Sequence, residues 1–315
     1  MKIVYSTPPN NIARVFVAEL DDGKTVEFVE SVQPPLPKNK KWVLIVSTLF
    51  GCPVKCAMCD AGNHYNGKLS ADEILAQIDY LVQNEFGSNK IPVEKFKIQF
   101  ARTGEPAFNM NVLDVLEQLP NRYDTPGLLP SISSIAPVSS DDFFERLINI
   151  KNEYYQKRFQ LQFSIHTTDE KLRDKIIPIR KWNFDKIAEY GNRFYNDGDQ
   201  KIGLNFALEK NSPLEPEVLL KHFDPKKFIV KITPINPTYN ASSNKMRSFI
   251  DPHIESVKND LKEKLQNAGY DVIINIGEVT ENQIGSNCGQ YVMRYLESKK
   301  EIADGYDFEQ DKIAK

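Results

Sequence analysis

Cys52-Pro53-Val54-Lys55-Cys56-Ala57-Met58-Cys59 places three of the chain's four cysteines within eight residues, in a C-x3-C-x2-C spacing. The stretch follows an apolar, β-branched run, Trp42–Ser47, and has glycines at 51, 62 and 67 around it, so it reads as a loop at the end of a strand. Three thiolates this close can hold three irons of a cubane cluster if the backbone loops around it. A structural cluster takes four cysteines, and the fourth one here, Cys288, is far downstream. One iron is therefore left open to a small ligand. The alternative is a zinc knot of the three cysteines with His64, but zinc sites favour two separated C-x2-C pairs.

The rest of the composition sets limits on that metal centre. At 315 residues, 41% hydrophobic and 26% charged, the chain has the make-up of an ordinary globular protein. No apolar run reaches the roughly 18 residues of a membrane span, and Met1–Tyr5 shows no signal-peptide pattern, so a cytoplasmic location is expected. Four cysteines, three of them bunched, are too few for a secreted disulfide framework and suit a metal centre in a reducing compartment. The net charge of −3 lacks the basic excess of a dedicated nucleic-acid binder. Pro37-Lys38-Asn39-Lys40-Lys41 is either a local basic patch or a solvated turn.

Outward from the cysteines, the pattern alternates. Residues 12–32 read as a β-hairpin, with strand-like Val15–Ala18 and Val26–Val29 around the turn residues Asp21-Asp22-Gly23-Lys24. From about 41 to 276, strands at Trp42–Ser47, Phe96–Phe100, around Ile132, Leu161–Ile165, Lys201–Leu208, Phe228–Thr233 and Val272–Ile276 alternate with helical stretches at 70–82, 110–119, 140–150, 183–195 and 247–268. Ser70 and Glu73 make a capping box for the first helix. About six β/α units of this kind predict an α/β fold, a parallel sheet forming a partial (β/α)6 TIM-like barrel with an N-terminal hairpin extension. The expected divisions are 1–40 for the extension, 41–295 for the barrel with a C-terminal cysteine loop, and 296–315 for a charged tail.

The cysteine spacing at the end of the first barrel strand resembles the radical S-adenosylmethionine (SAM) signature, with Met58 where that superfamily usually has an aromatic residue. Further segments resemble the class A radical SAM methylases that act on adenine carbons 2 or 8 of ribosomal and transfer RNA. They are Gly104-Glu105-Pro106, Ser131-Ile132-Ser133-Ser134, Phe163-Ser164-Ile165-His166, the run from Asp169 to Ile179, Ile232-Thr233-Pro234-Ile235-Asn236-Pro237 and Asn287-Cys288-Gly289-Gln290, in the family's order. The resemblance implies a [4Fe–4S] cluster on Cys52, Cys56 and Cys59. It implies SAM contacts by Gly104, Glu105, Ser133, Ser164, His166 and Asn236, with Glu105 on the methionine ammonium. It also implies an external electron donor such as flavodoxin or ferredoxin. Cys288 takes the place of the methyl-carrier cysteine: one SAM methylates it, and a radical from a second activates that methyl group for addition to an sp2 carbon. Glu27, with Glu30 as its rival, takes the place of an acid that accepts a proton.

Two features depart from that pattern. The family has a second cysteine seven residues before the first cluster cysteine, which resolves the covalent adduct; here the position is Ile45. The family's N-terminal RNA-gripping domain has no counterpart, since only about forty residues precede the barrel. The expectation is a methylase acting on a nucleobase or related heteroaromatic. The alternative is a non-methylase radical SAM enzyme acting on a small molecule, a peptide or a protein.

Overall fold

The computed structural model describes residues 1–32, 36–249, 255–274, 284–285 and 291–297. The chain divides into two compact units, one of Met1–Pro53, Asp60–Ser131 and Glu278–Lys315, the other of Val54–Cys59 and Ile132–Gly277.

The first unit begins with antiparallel strands: β1 (Lys2–Ser6), β2 (Ala13–Glu19) and β3 (Thr25–Ser31). The expected hairpin is β2–β3. β1 is an additional strand whose short, partly exposed run gives little apolar signal. β3 pairs antiparallel with β4 (Trp42–Val46), and β4 pairs parallel with β7 (Phe96–Phe100), so the hairpin extends the sheet directly. Fully buried Trp42 stacks on Phe96 at 5.3 Å between centroids, anchoring the pair. Two short strands, β5 (Leu49–Gly51) and β6 (Tyr65–Lys68), pair antiparallel on either side of the cysteine stretch. Helix α1 (Ala71–Phe86) starts at Ser70 with both halves of its capping box formed and ends at Gly87. It buries Ile74, Leu75, Ile78, Leu81 and Val82, each contributing about 1.5–3 kcal/mol of apolar transfer. Helix α2 (Asn111–Arg122) buries Val112, Leu113, Val115, Leu116 and Leu119. A further helix, α9 (Tyr291–Glu297), seats Tyr291 and Tyr295 among Ala13, Val15, Val17 and Val29.

Strand β8 (Leu128–Ser134) begins in the first unit and ends in the second. The second unit continues with parallel strands β9 (Gln160–Ser164), β10 (Ile202–Ala207), β11 (Phe228–Thr233) and β12 (Asp271–Ile274). Its helices are α3 (Asp141–Ile150), α4 (Glu170–Ile176), α5 (Phe184–Phe194), α6 (Pro216–His222), α7 (Tyr239–Ser243) and α8 (Glu255–Asn267). Phe144, Phe163, Trp182 and Tyr190 form an aromatic core between strand and helix.

The six β/α repeats of a partial TIM-like barrel are therefore present from β4 to β11, with β12 as a further parallel strand. One expectation needs correcting. The helix expected over 247–268 does not include 247–249, where the Phe249 amide donates to the Leu208 carbonyl and Ser248 bridges to Glu209; 250–254 lie outside the described residues. The tail after Glu297 lies outside the described residues.

Candidate functional site

In the first unit the chain leaves β4 and turns sharply at Gly51. Its φ is +77°, and a Cβ there would sit 1.3 Å from the His64 carbonyl oxygen, so only glycine fits. The next amide, that of Cys52, donates to the carbonyls of Ala61 (2.7 Å) and His64 (3.1 Å) and fixes the start of the loop; Cys52 itself is buried. After β7, Gly104 has φ +103° and lies so close to Leu49 that a Cβ would come within 2.5 Å of it. Glu105 is buried and caps the short turn Pro106–Phe108, accepting from the Ala107 amide at 3.0 Å. A cavity of about 440 Å³ opens beside these strand ends, lined by Lys24, Glu27, Phe50, Gly51, His64, Thr103 and Val292 among others.

Glu27 is fully buried and forms an ion pair with buried Arg102, Nε to Oε1 2.8 Å. Its Oε2 accepts from the Val292 amide at 2.9 Å. Burial pushes the Glu27 carboxyl above its usual range, while Arg102 and the α9 amides pull it down. Glu30 lies elsewhere: it is half-buried, with Lys38 at 3.6 Å. Ile45 packs against the cluster that contains Tyr291 and Val29. Cys288 lies outside the described residues, between Gly285 and Tyr291, which are described.

In the second unit Cys56 and Cys59 are half-buried thiols, not in a disulfide. Helix α7 and its flanks hold their loop by its carbonyls. Thr238 Oγ1 donates to Met58 (2.7 Å), Asn240 Nδ2 to Cys59 (2.8 Å) and Asn244 Nδ2 to Ala57 (2.8 Å). The Ala57 amide donates to the Ile176 carbonyl at 2.9 Å. Ser133, next to last in β8, accepts a hydrogen bond from Gln162 Nε2 at its hydroxyl. Ser164 ends β9, its carbonyl 3.5 Å from Arg173 Nη2. His166 follows with φ +66°, its Nδ1 accepting from the Ala207 amide at 3.1 Å. Burial, with Arg173 adding to it, pushes His166 down to about 3, so the ring is neutral with its proton on Nε2. Asn236 is half-buried beyond the end of β11, its carbonyl accepting from the Thr238 amide at 2.8 Å.

No protein-family profile matches the chain. It is 26% identical over 296 residues to a probable dual-specificity RNA methyltransferase RlmN of Pseudothermotoga lettingae, covering 90% of this chain and 77% of that protein. It is 25% identical over 312 residues to the dual-specificity RNA methyltransferase RlmN of Pseudomonas fluorescens, covering 92% and 74%. A solved radical SAM methyltransferase from Sphaerobacter thermophilus shares the fold at TM-score 0.67 and 18% identity, over 92% of this chain and 80% of that one. Over most of its length the chain is similar to RlmN-type radical SAM proteins.

The three thiols suit the expected cofactors, a [4Fe–4S] cluster and SAM. A zinc knot would ask the thiols and His64 to close on one ion. A cubane asks instead for soft thiolates at separate irons. The loop backbone is tied down at Cys52 in the first unit and at residues 57–59 in the second. Several residues were not singled out by the sequence. Thr238 directly follows Pro237, and Asn240 and Asn244 lie within seven residues of it, so the Asn236 motif pointed near them. Arg102 directly precedes Thr103-Gly104-Glu105, but its partner Glu27 lies on a distant strand.

Proposed function

We propose that this radical SAM protein is a methylase that delivers a one-carbon unit from Cys288 to an sp2 carbon of a nucleobase. The observation that carries this reading is similarity over 90% of the chain to proteins named as RNA methyltransferases, with Cys288 retained in Asn287-Cys288-Gly289-Gln290. Cys52, Cys56 and Cys59 would hold the cluster, which supplies an electron for cleavage of SAM. Gly104 would let the backbone approach closely, and buried Glu105 would receive the methionine ammonium. Ser133, Ser164 and Asn236 are the further polar contacts, and neutral His166 offers Nε2–H as a donor. The Cys288 thiolate would take a methyl group by displacement: its new S–C bond forms as the methyl–sulfonium bond breaks, the thiol proton goes to solvent, and no electron is transferred. A cytoplasmic flavodoxin or ferredoxin is the proposed electron donor.

A second reading, a non-methylase radical SAM enzyme acting on a small molecule, peptide or protein, is favoured by Ile45, which leaves no internal thiol to release an adduct. Mass spectrometry of the Cys288 peptide separates the two. The methylase reading expects it about 14 mass units heavier after purification, by the nucleophile chemistry of thiols. It also expects turnover to stall as a covalent adduct until a small thiol is added or Ile45→Cys is installed. Conversion of substrate with Cys288 unmodified throughout establishes the second reading.

A further inference from the structure

In the second unit the backbone of Ala57, between Cys56 and Cys59, is where three segments meet. Its amide donates to the carbonyl of Ile176, the last residue of α4, at 2.9 Å, and its carbonyl accepts from Asn244 Nδ2, just after α7, at 2.8 Å. Each segment carries a lysine within two residues of those bonds: Lys55, Lys175 and Lys245. All three are exposed, and none of their ammonium groups has an ion-pair or hydrogen-bond partner among the described residues. No acid offsets them along the chain. Residues 53–59 and 236–248 contain no Asp or Glu, and Asp174, next to Lys175, is taken by Lys181 at 2.6 Å. On a chain of net charge −3, this junction is locally positive.

Backbone conformation makes two of these lysines costly. Lys55 has φ +57° and Lys245 φ +54°, in the left-handed region where glycine or asparagine is easier to place. Lys175 has a local use, since a cation in the last turn of α4 suits the helix dipole. Lys55 is on no helix, so no such use accounts for it. What the three share is their place around the loop of the half-buried thiols Cys56 and Cys59. Electron tunnelling falls off steeply with distance, so a protein that reduces a cluster does best to dock beside the loop that holds it. Small electron carriers such as flavodoxins are acidic, and complementary charge speeds and orients their encounter. We propose that Lys55, Lys175 and Lys245 form the docking face for an acidic electron-carrier protein. This rests on Cys56 and Cys59 holding the cluster. RNA is the other polyanion such a face could meet, but gripping it takes more phosphate contacts than three lysines supply.

The test uses the full-length, anaerobically reconstituted protein with Lys55→Asn, Lys175→Gln and Lys245→Asn, singly and together. Asparagine tolerates the left-handed backbone, so the loop is kept. Lys226→Gln is the control: Lys226 is exposed just before β11, at the opposite end of that strand from α7. One readout is the affinity for a purified flavodoxin at low and moderate salt. The other is the rate at which reduced flavodoxin bleaches the cluster, compared with dithionite, which needs no docking. The triple variant is expected to bind flavodoxin about tenfold more weakly at low salt, and each single variant about two- to threefold more weakly. Its cluster should be bleached more slowly by flavodoxin but not by dithionite. Lys226→Gln should match the wild type, whose own binding should weaken as salt is raised. Equal binding by wild type and triple variant, binding indifferent to salt, or no binding by the wild type overturns the docking face. Loss of binding to a ribosomal RNA fragment in the triple variant, with flavodoxin binding unchanged, overturns it in favour of RNA. If the reconstituted wild type holds no iron, the cluster reading fails, and the flavodoxin affinities alone then judge the face.

Discussion

At the scale of single residues, the sequence singled out motif positions but said nothing of their chemical states. His166 stood out because it ends a strand, yet nothing in Phe163-Ser164-Ile165-His166 tells which nitrogen carries the proton. The Ala207 amide, on a strand that arrives later in the chain, decides it. Arg102 was missed for a related reason, since its meaning depends on Glu27 and Gly285, both remote in sequence. The His166 state has a measurable consequence. The unfolded imidazole titrates near 6.5 and the folded one near 3, so between those values the unfolded state binds the extra proton. Stability then falls as pH is lowered from about 6.5 toward 3, with a slope approaching 1.4 kcal/mol per pH unit, and His166 adds no pH dependence above that window. Denaturant titrations at pH 7 and pH 5 should show a smaller loss in His166→Gln than in the wild type. An equal loss in both would mean that His166 is protonated in the folded state.

Among the elements, those with a strong period or a complete cap were read correctly. The capping box at Ser70 and the Ile74–Val82 face gave α1, and β-branched runs gave the central strands. Short elements were not legible. Helix α7 has five residues, too few to show a period, and its function lies in side chains outside any apolar pattern. Thr238 both caps α7, accepting from the Ala241 amide at 3.0 Å, and donates to the Met58 carbonyl. Thr238→Val should therefore cost about 1 kcal/mol in stability through the lost cap. It should also let a chelator strip iron several-fold faster from the reconstituted protein, because the 57–59 carbonyls lose one of their three side-chain ties. Iron retention equal to wild type would show that α7 does not support the cluster loop.

For the whole molecule, alternation of strand and helix was enough to give the α/β class and six repeats, because each repeat must bury one sheet face under a helix. Strand β1 and helix α9 were not legible, since both are short and depend on packing against the hairpin, Tyr5 on Tyr291 being the plainest case. The net charge of −3 also belongs to this scale. Without a basic excess, binding to bulk RNA should be weak and should collapse between low and moderate salt, as a titration of ribosomal RNA fragments would show. Tight, salt-resistant binding would instead make structured RNA the substrate. The central claim, that this is a radical SAM methylase, is tested most directly by incubating anaerobically reconstituted protein with SAM and reductant and measuring 5′-deoxyadenosine and S-adenosylhomocysteine together. The account predicts both products, with 5′-deoxyadenosine abolished by Cys56→Ala and S-adenosylhomocysteine abolished by Cys288→Ala. Formation of 5′-deoxyadenosine alone, unchanged by Cys288→Ala, would contradict the methylase, and formation of neither would contradict the radical chemistry itself.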